Sequence, residues 1–311
     1  MLQQIVTWMR IESRLRERRG RWARWLGRNW ARWTYAVRVE PTWLEVNQYQ
    51  IPIPELPAAF SGLRLVQMSD FHCGRQVTPT YLAESVELAQ AQRPDAILLT
   101  GDFIHKGFRH IDAVTRVLAK LHAPLGVFAV LGNHDFSVRN SLGVRRYPRL
   151  HQAVADALTA KGIRVLHNEA VTLARGSSRI HLIGVADLWS RVCDLDKAFH
   201  RLSPSVPRIV LAHNPRTIEH LNGHRCDLML SGHTHGGQVN LPKLGRITLT
   251  AKNKRFAAGM YYHGDSLLYV NKGVGFGIRI RYGVRPEVAV MILKPGPRGH
   301  LKPGQVHPHH L

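Results

Sequence analysis

Residues 95–135, DAILLTGDFIHKGFRHIDAVTRVLAKLHAPLGVFAVLGNHD, hold two short unbroken apolar runs, AILL and VFAVL. Each is followed at once by a polar turn, and residues 111–121 between them carry apolar side chains at helical spacing. A strand buried on both faces reads as such a run, so strand, helix and strand form a β-α-β unit. The rhythm extends both ways. Upstream, LRLVQMSD (63–70) precedes helical spacing over residues 81–92. Downstream come IHLIGVAD (180–187), RIVLAHNP (208–215) and CDLMLSGHTHGG (226–237). This alternation predicts an α/β layered fold with helices flanking sheets. After Gly237, GRITLT, SLLYV and EVAVMIL read as strands with no helical period. Residues 42–53 partly alternate and end in Pro52 and Pro54, which predicts an edge strand entering the body.

The polar residues fall where the apolar runs stop. Asp70, His72, Asp102, Asn133, His134, His213, His233 and His235 all sit at or just past a predicted strand end, and in an open α/β fold those ends converge on one crevice. Carboxylate, imidazole and amide donors together suit manganese, iron or zinc better than calcium or magnesium. Seven ligand candidates exceed what one ion needs and match two ions sharing a carboxylate. A single histidine or aspartate at a strand end is ordinary; the ordered series D-x-H, G-D, G-N-H-D, H and G-H-T-H is not.

That series resembles the calcineurin-like metallophosphoesterase superfamily, carried by SDFH (69–72), GDF (101–103), GNHD (132–135), AHNP (212–215) and GHTHGGQ (232–238). The resemblance implies a four-layer sandwich of two mixed sheets flanked by helices. It implies that Asp70, His72, Asp102 and His235 hold one divalent metal ion and Asp102, Asn133, His213 and His233 the other, manganese being favoured over iron or zinc. His134, assigned to neither ion, is then free to protonate or stabilise a leaving oxygen, and Asp135 could orient it or simply cap a turn. Arg75 could reach a substrate phosphate, although a solvated loop charge is the simpler expectation. The second block reads GDFIHKG, with His105 and Lys106 where the protein phosphatases carry an acid and an arginine, which disfavours a serine/threonine phosphatase. VADLW, LSGHTHGGQV and the segment from Lys254 to Leu293 look like the small bacterial phosphodiesterase branch, some of whose members hydrolyse UDP-2,3-diacylglucosamine.

The chain has 311 residues, and its 43 Lys and Arg against 21 Asp and Glu give a formal net charge of +22, which favours anionic partners. Its three cysteines, Cys73, Cys193 and Cys226, form no C-x-x-C pair, so a disulfide framework is not expected. Six of seven tryptophans lie before residue 44, and residues 1–40 hold ten arginines against three glutamates. On a helix, Trp22, Trp25, Leu26, Trp30 and Trp33 share one arc beside Arg21, Arg24, Arg28 and Arg32. Such a helix either lies in lipid headgroups or packs its tryptophans on the body or on a partner, with Pro41 expected to stop it. The expected organisation is a membrane-binding segment over 1–41, the catalytic domain over 42–294 and a frayed tail over 295–311. Residues 5–38 would hold the protein peripherally on the anionic inner face of the membrane, in the cytoplasm. The substrate would be a phosphodiester or pyrophosphate in a membrane lipid. A nuclease or cyclic-nucleotide phosphodiesterase is the alternative enzyme, but no base-stacking module is recognisable. A non-catalytic scaffold is the alternative outside catalysis, disfavoured by the complete ligand set.

Overall fold

The computed structural model describes residues 21–297 and 309–310. Helix α1 (21–34) leads through irregular turns into β1 (Glu45–Ile53). Three α/β units follow: β2 (Arg64–Met68), α2 (Pro79–Ala91), β3 (Ala96–Thr100), α3 (Ile111–Leu118), β4 (Val127–Val130), α4 (Leu150–Thr159) and the two-residue β5 (Arg164–Val165). The second half runs β6 (Glu169–Arg175), β7 (Ser178–Gly184), α5 (Leu195–Ala198), β8 (Arg208–Leu211) and β9 (Leu228–Ser231). After a small hairpin of β10 (Asn240–Leu241) and β11 (Gly245–Arg246) come α6 (Ala251–Lys254), β12 (Gly259–His263), β13 (Ser266–Val270), β14 (Glu287–Pro295) and β15 (His309–His310).

Two mixed sheets result, ordered β15-β1-β14-β2-β3-β4-β5 and β12-β13-β9-β8-β7-β6. In the first, β2 to β5 are parallel and β14 runs antiparallel to β2; in the second, β13, β9, β8 and β7 are parallel between antiparallel edges. Alternation along each strand builds the layers. On β2 and β3, Leu65 and Leu98 point between the sheets, against Leu182, Leu211 and Leu230. Val66, Met68, Ile97 and Leu99 point outward, under Leu82, Val86, Val114 and Leu158 of the helices. The outer face of the second sheet is covered by Phe199, Ile218 and Phe256. Helix α2 starts cleanly because Thr78 caps it, its hydroxyl accepting from the Tyr81 amide at 3.3 Å, with Pro79 next in line.

The layered α/β fold stands as the sequence predicts, with three local differences. GRITLT supplies only the two residues of β11, since its partner β10 is equally short, and the remainder turns into α6. Strand β1 is parallel to β14 along its length and meets β15 on its other side at Asn47 and Gln48, so it is not a bare edge; the rest of the tail from residue 298 lies outside the described residues. Pro41 does not by itself end α1. The helix first loosens into a π turn at Tyr35–Val39, and Pro41 then sits inside a 3-10 turn at Glu40–Thr42.

That transition is tethered to the body. Arg281 donates its amide to the Ala36 carbonyl at 2.8 Å, Arg279 Nε reaches the Val37 carbonyl at 3.1 Å, and the buried Glu40 carboxylate accepts the Val284 amide at 2.6 Å. The tryptophans of α1 take no part in it: Trp22, Trp25, Trp30 and Trp33 are each more than half exposed and this face is not packed on the body. Expectations for residues 1–20 lie outside the described residues. No helix among the described residues is long and apolar enough to cross a membrane.

Candidate metal centre

The carboxyl ends of β2, β3 and β4 in one sheet meet those of β7, β8, β9 and β13 in the other. Gln67 bridges the sheets there, its amide 3.0 Å from both the Thr100 hydroxyl and the Ser231 carbonyl. Into this junction the structure brings all seven ligand candidates. His72 Nε2 and His235 Nε2 face each other at 2.9 Å, with Asp70 Oδ1 3.4 Å from His235 and Asp102 Oδ2 3.5 Å from His72. On the other side of Asp102, the same Oδ2 lies 3.3 Å from His213 Nε2. Asn133 Oδ1 is 3.2 Å from that nitrogen and 2.9 Å from His233 Nδ1. Asp102 is thus common to two donor groups, Asp70, His72 and His235 on one side and Asn133, His213 and His233 on the other.

The local backbone is built for this. Asp70, His72, Asp102, His233 and His235 all have positive φ, between 45° and 74°. Aspartate and histidine tolerate that region better than most residues, but five instances in one cluster store strain that surrounding structure must hold. Asp135 supplies one restraint. Its carboxylate accepts the amides of Asp102 and Gly132 at 2.9 Å and of Phe103 at 3.0 Å, bracing the GDF turn. It therefore caps turns and does not orient His134. Burial and the nearby Asp102 charge push its carboxyl up to about 8. Gly232 supplies another: a methyl there would run into Ser69 Oγ and Asp70 Oδ2. Gly232→Ala should displace Asp70 and weaken metal binding about 10- to 100-fold, the scale seen when a ligand's support is lost. Metal content after dialysis, with circular dichroism to verify folding, measures this; full metal content would show that Asp70 is not held through this contact.

The donor set fits divalent cations. His213 Nδ1 is 2.7 Å from the Thr100 carbonyl and donates to it, which turns Nε2, as an acceptor, toward the oxygens of Asp102 and Asn133. Asn133 Nδ2 donates to the Val138 carbonyl at 2.8 Å, fixing its Oδ1 toward the histidines. Acceptors crowding acceptors call for a positive charge between them. Burial alone would lower the His213 pKa, yet Asp102 and Asp70 raise it to about 10. Burial also raises Asp70 to about 6, while His213 and His134 hold Asp102 well below the usual carboxylate range despite its burial.

His134 stands beside the two groups. Its amide donates to Asp102 Oδ1 at 2.9 Å, its Nδ1 meets the His105 carbonyl at 2.8 Å, and Arg139 Nη1 reaches its Nε2 at 3.2 Å. Burial, with Arg139 adding to it against Asp102, keeps the imidazole below its ordinary pKa. His105, singled out in the sequence only as a departure from the phosphatase pattern, joins this wall; ring nitrogens of His72, His105 and His134 lie within 4.8 Å of one another. His72 and His105 open onto a cavity of about 490 Å³ lined also by Arg75, Lys106, Arg109 and Phe276. Arg75 therefore faces the cavity instead of standing apart on a loop. Trp189 of VADLW closes the other side, its ring 4.5 Å from that of His233, and Asp187 holds it through the Trp189 amide at 2.9 Å.

Sequence reasoning missed the floor. Residues 271–277, NKGVGFG, pass directly beneath Asp70, with Val274 and Gly275 donating to the Ser69 and Asp70 carbonyls at 2.9 and 2.8 Å. Fully buried Arg281 pins this loop by donating to the carbonyls of Lys272, Gly273, Gly275 and Val284. In the sequence Arg281 is one arginine among many in a basic run.

A two-sheet α/β sandwich carrying this constellation defines a class, and the family model described as calcineurin-like phosphoesterase matches residues 63–237; the chain belongs to that family. It is a metal-dependent hydrolase of phosphoester bonds. Among proteins it is similar to is the UDP-2,3-diacylglucosamine pyrophosphatase LpxG of Chlamydia trachomatis serovar D, 32% identical over 306 residues, covering 83% of this chain and 92% of the relative. The phosphodiesterase YaeI of Escherichia coli K12 is 32% identical over 260 residues, with the same coverage. The uncharacterized metallophosphoesterase YkuE of Bacillus subtilis 168 is 34% identical over 265 residues, covering 84% and 89%.

Proposed function

We propose that this protein hydrolyses a phosphodiester or pyrophosphate bond in a lipid-linked substrate similar to UDP-2,3-diacylglucosamine, using two divalent ions, manganese first among them. The observation that carries the two-ion reading is Asp102 Oδ2, shared between His72 on one side and His213 on the other. Asp70, His72, Asp102 and His235 would hold one ion, and Asp102, Asn133, His213 and His233 the other. Bound there, such a pair would make water nucleophilic at neutral pH and neutralise charge on the phosphoryl oxygens.

The chain's own residues do the rest. His134, with Nδ1 donating to the His105 carbonyl, presents Nε2 to the leaving oxygen once substrate displaces Arg139 from it; this nitrogen has first to take up a proton, for which the nucleophilic water is the source, before it can pass one to the leaving oxygen. Arg75, Lys106 and Arg109 on the cavity wall attract the substrate's remaining negative charge. The exposed tryptophans and arginines of α1 support peripheral attachment of residues 5–38 to an anionic, cytoplasm-facing leaflet. The likeness to a pyrophosphatase named for UDP-2,3-diacylglucosamine supports the lipid-linked substrate.

The test compares detergent-dispersed UDP-2,3-diacylglucosamine with a soluble aryl phosphodiester, each with chelator and with manganese restored. Both activities should vanish in chelator and return with manganese, and manganese should also raise the melting temperature, because an ion bound only by the folded state stabilises it. Full activity in chelator would refute metal dependence. Cleavage of the aryl ester but not the lipid would refute the substrate assignment alone.

A further inference from the structure

Every large apolar side chain left exposed among the described residues lies on a segment emerging at the metal-centre end of the two sheets. On the body these include Phe108 after β3, Leu142 and Val144 after β4, Leu244 and Ile247 after β9, and Ile278 after β13. Most of the others belong to residues 22–43, which lead into the start of β1. That start is at the same end, because β1 is parallel to β14 and β14 antiparallel to β2. Leu142, Val144, Leu244 and Ile278 are 64%, 74%, 69% and 70% exposed, values unusual for side chains of this kind on a protein surface in water.

Charge is distributed with the same polarity. Segments 71–78, 103–110, 136–149, 185–194, 212–221, 232–258 and 271–286, all at the metal-centre end, contain eighteen Lys and Arg, one of them the buried Arg281, against three Asp or Glu, namely Asp187, Asp194 and Glu219. At the opposite end, segments 54–63, 92–95, 119–126, 160–163, 199–207, 222–227 and 264–265 carry five basic and four acidic residues and no exposed large apolar side chain. Apolar tips set among cations complement a plane of phosphates with hydrocarbon beneath it. Nucleic acid would use the cations but offers no apolar phase to the tips.

We infer that the entire metal-centre end is a bilayer-docking face, in which the loop tips insert between headgroups alongside α1 and the catalytic cavity opens directly onto the leaflet. This rests on the lipid-substrate reading and adds an orientation to it: the scissile phosphate reaches Arg75, Lys106 and His134 while its acyl chains stay in the membrane.

The experiment uses the full-length chain, with α1 intact, and vesicles of phosphatidylglycerol and phosphatidylcholine in a flotation assay. Leu142→Asp with Val144→Asp, and separately Leu244→Asp with Ile247→Asp, should each weaken vesicle binding about ten-fold, since each exchanges two inserting apolar side chains for charges repelled by the leaflet. Hydrolysis of the soluble aryl phosphodiester should be unchanged, because none of the four residues lines the metal centre. Lys120→Glu with Arg201→Glu, at the far end, should leave binding unchanged. Wild-type flotation by the loop variants would overturn the docking face, leaving α1 as the sole attachment. Failure of the wild-type chain to bind vesicles, with salt-sensitive binding to duplex DNA or self-association through these loops instead, would also overturn it. Hydrolysis of the lipid in detergent micelles needs no docking, so it reports on the substrate reading independently.

Discussion

Asp102→Asn is expected to lower turnover on an aryl phosphodiester by about 10² to 10⁴. Breaking a buried charge interaction by removing one partner costs roughly 3–5 kcal/mol, and each 1.36 kcal/mol is a factor of ten in rate. The substitution is nearly isosteric and keeps an oxygen able to accept the His134 amide, now at 2.9 Å, so the fold should survive. What disappears is the negative charge at the one oxygen that faces both His72 and His213. Metal analysis should therefore show a loss of bound ion together with the loss of rate, and the rise in melting temperature with manganese should shrink. Wild-type turnover with full metal content would mean that Asp102 does not join the two groups.

His134→Ala should produce a loss of similar size by a different route. Removing a positioned general acid typically costs 10² to 10⁴ in rate. None of the close contacts between the seven ligand candidates passes through the His134 side chain, whose hydrogen-bonding partners are His105 and Arg139. Metal content and melting temperature should stay near wild type while turnover falls. A parallel loss of metal would instead make His134 a ligand, a reading that its proximity to His72 and His105 keeps chemically sensible. An aryl ester with a more acidic leaving group should be less affected, because it needs less help from a proton donor.

The parts of this structure readable from sequence share a physical cause. Strands β2, β3, β4, β7, β8 and β9 are buried on both faces, so their sequences are almost purely apolar and their ends are marked by the abrupt return of Asp, Asn and His. The ligand positions follow from that same boundary. What could not be read depends on contacts across long stretches of chain. The burial of Arg281 arises from carbonyls that converge only when residues 272–275 fold under Asp70. The role of Asp135 was ambiguous between orienting a neighbour and bracing a turn until the amides of residues 102–104, some thirty positions away, came against it. GRITLT has the composition of a strand, and only the absence of a long partner limits it to two residues. The π turn at Tyr35–Val39 depends on the amide of Arg281, far away in sequence, which takes the Ala36 carbonyl.

The left-handed backbone at Asp70, His72, Asp102, His233 and His235 also bears on the calorimetry of metal uptake. A domain nucleated by its ion draws its folding free energy from binding, and the event carries the large negative heat-capacity change of a chain burying apolar surface. Here the unfavourable dihedrals are held by Asp135, by the closely packed Gly232 and by the loop over Arg281, within a core of tightly packed apolar side chains. Ion binding then consists of proton release from His213 and the stripping of water from a cation. Its heat should depend on the ionisation enthalpy of the buffer while its heat capacity scarcely changes.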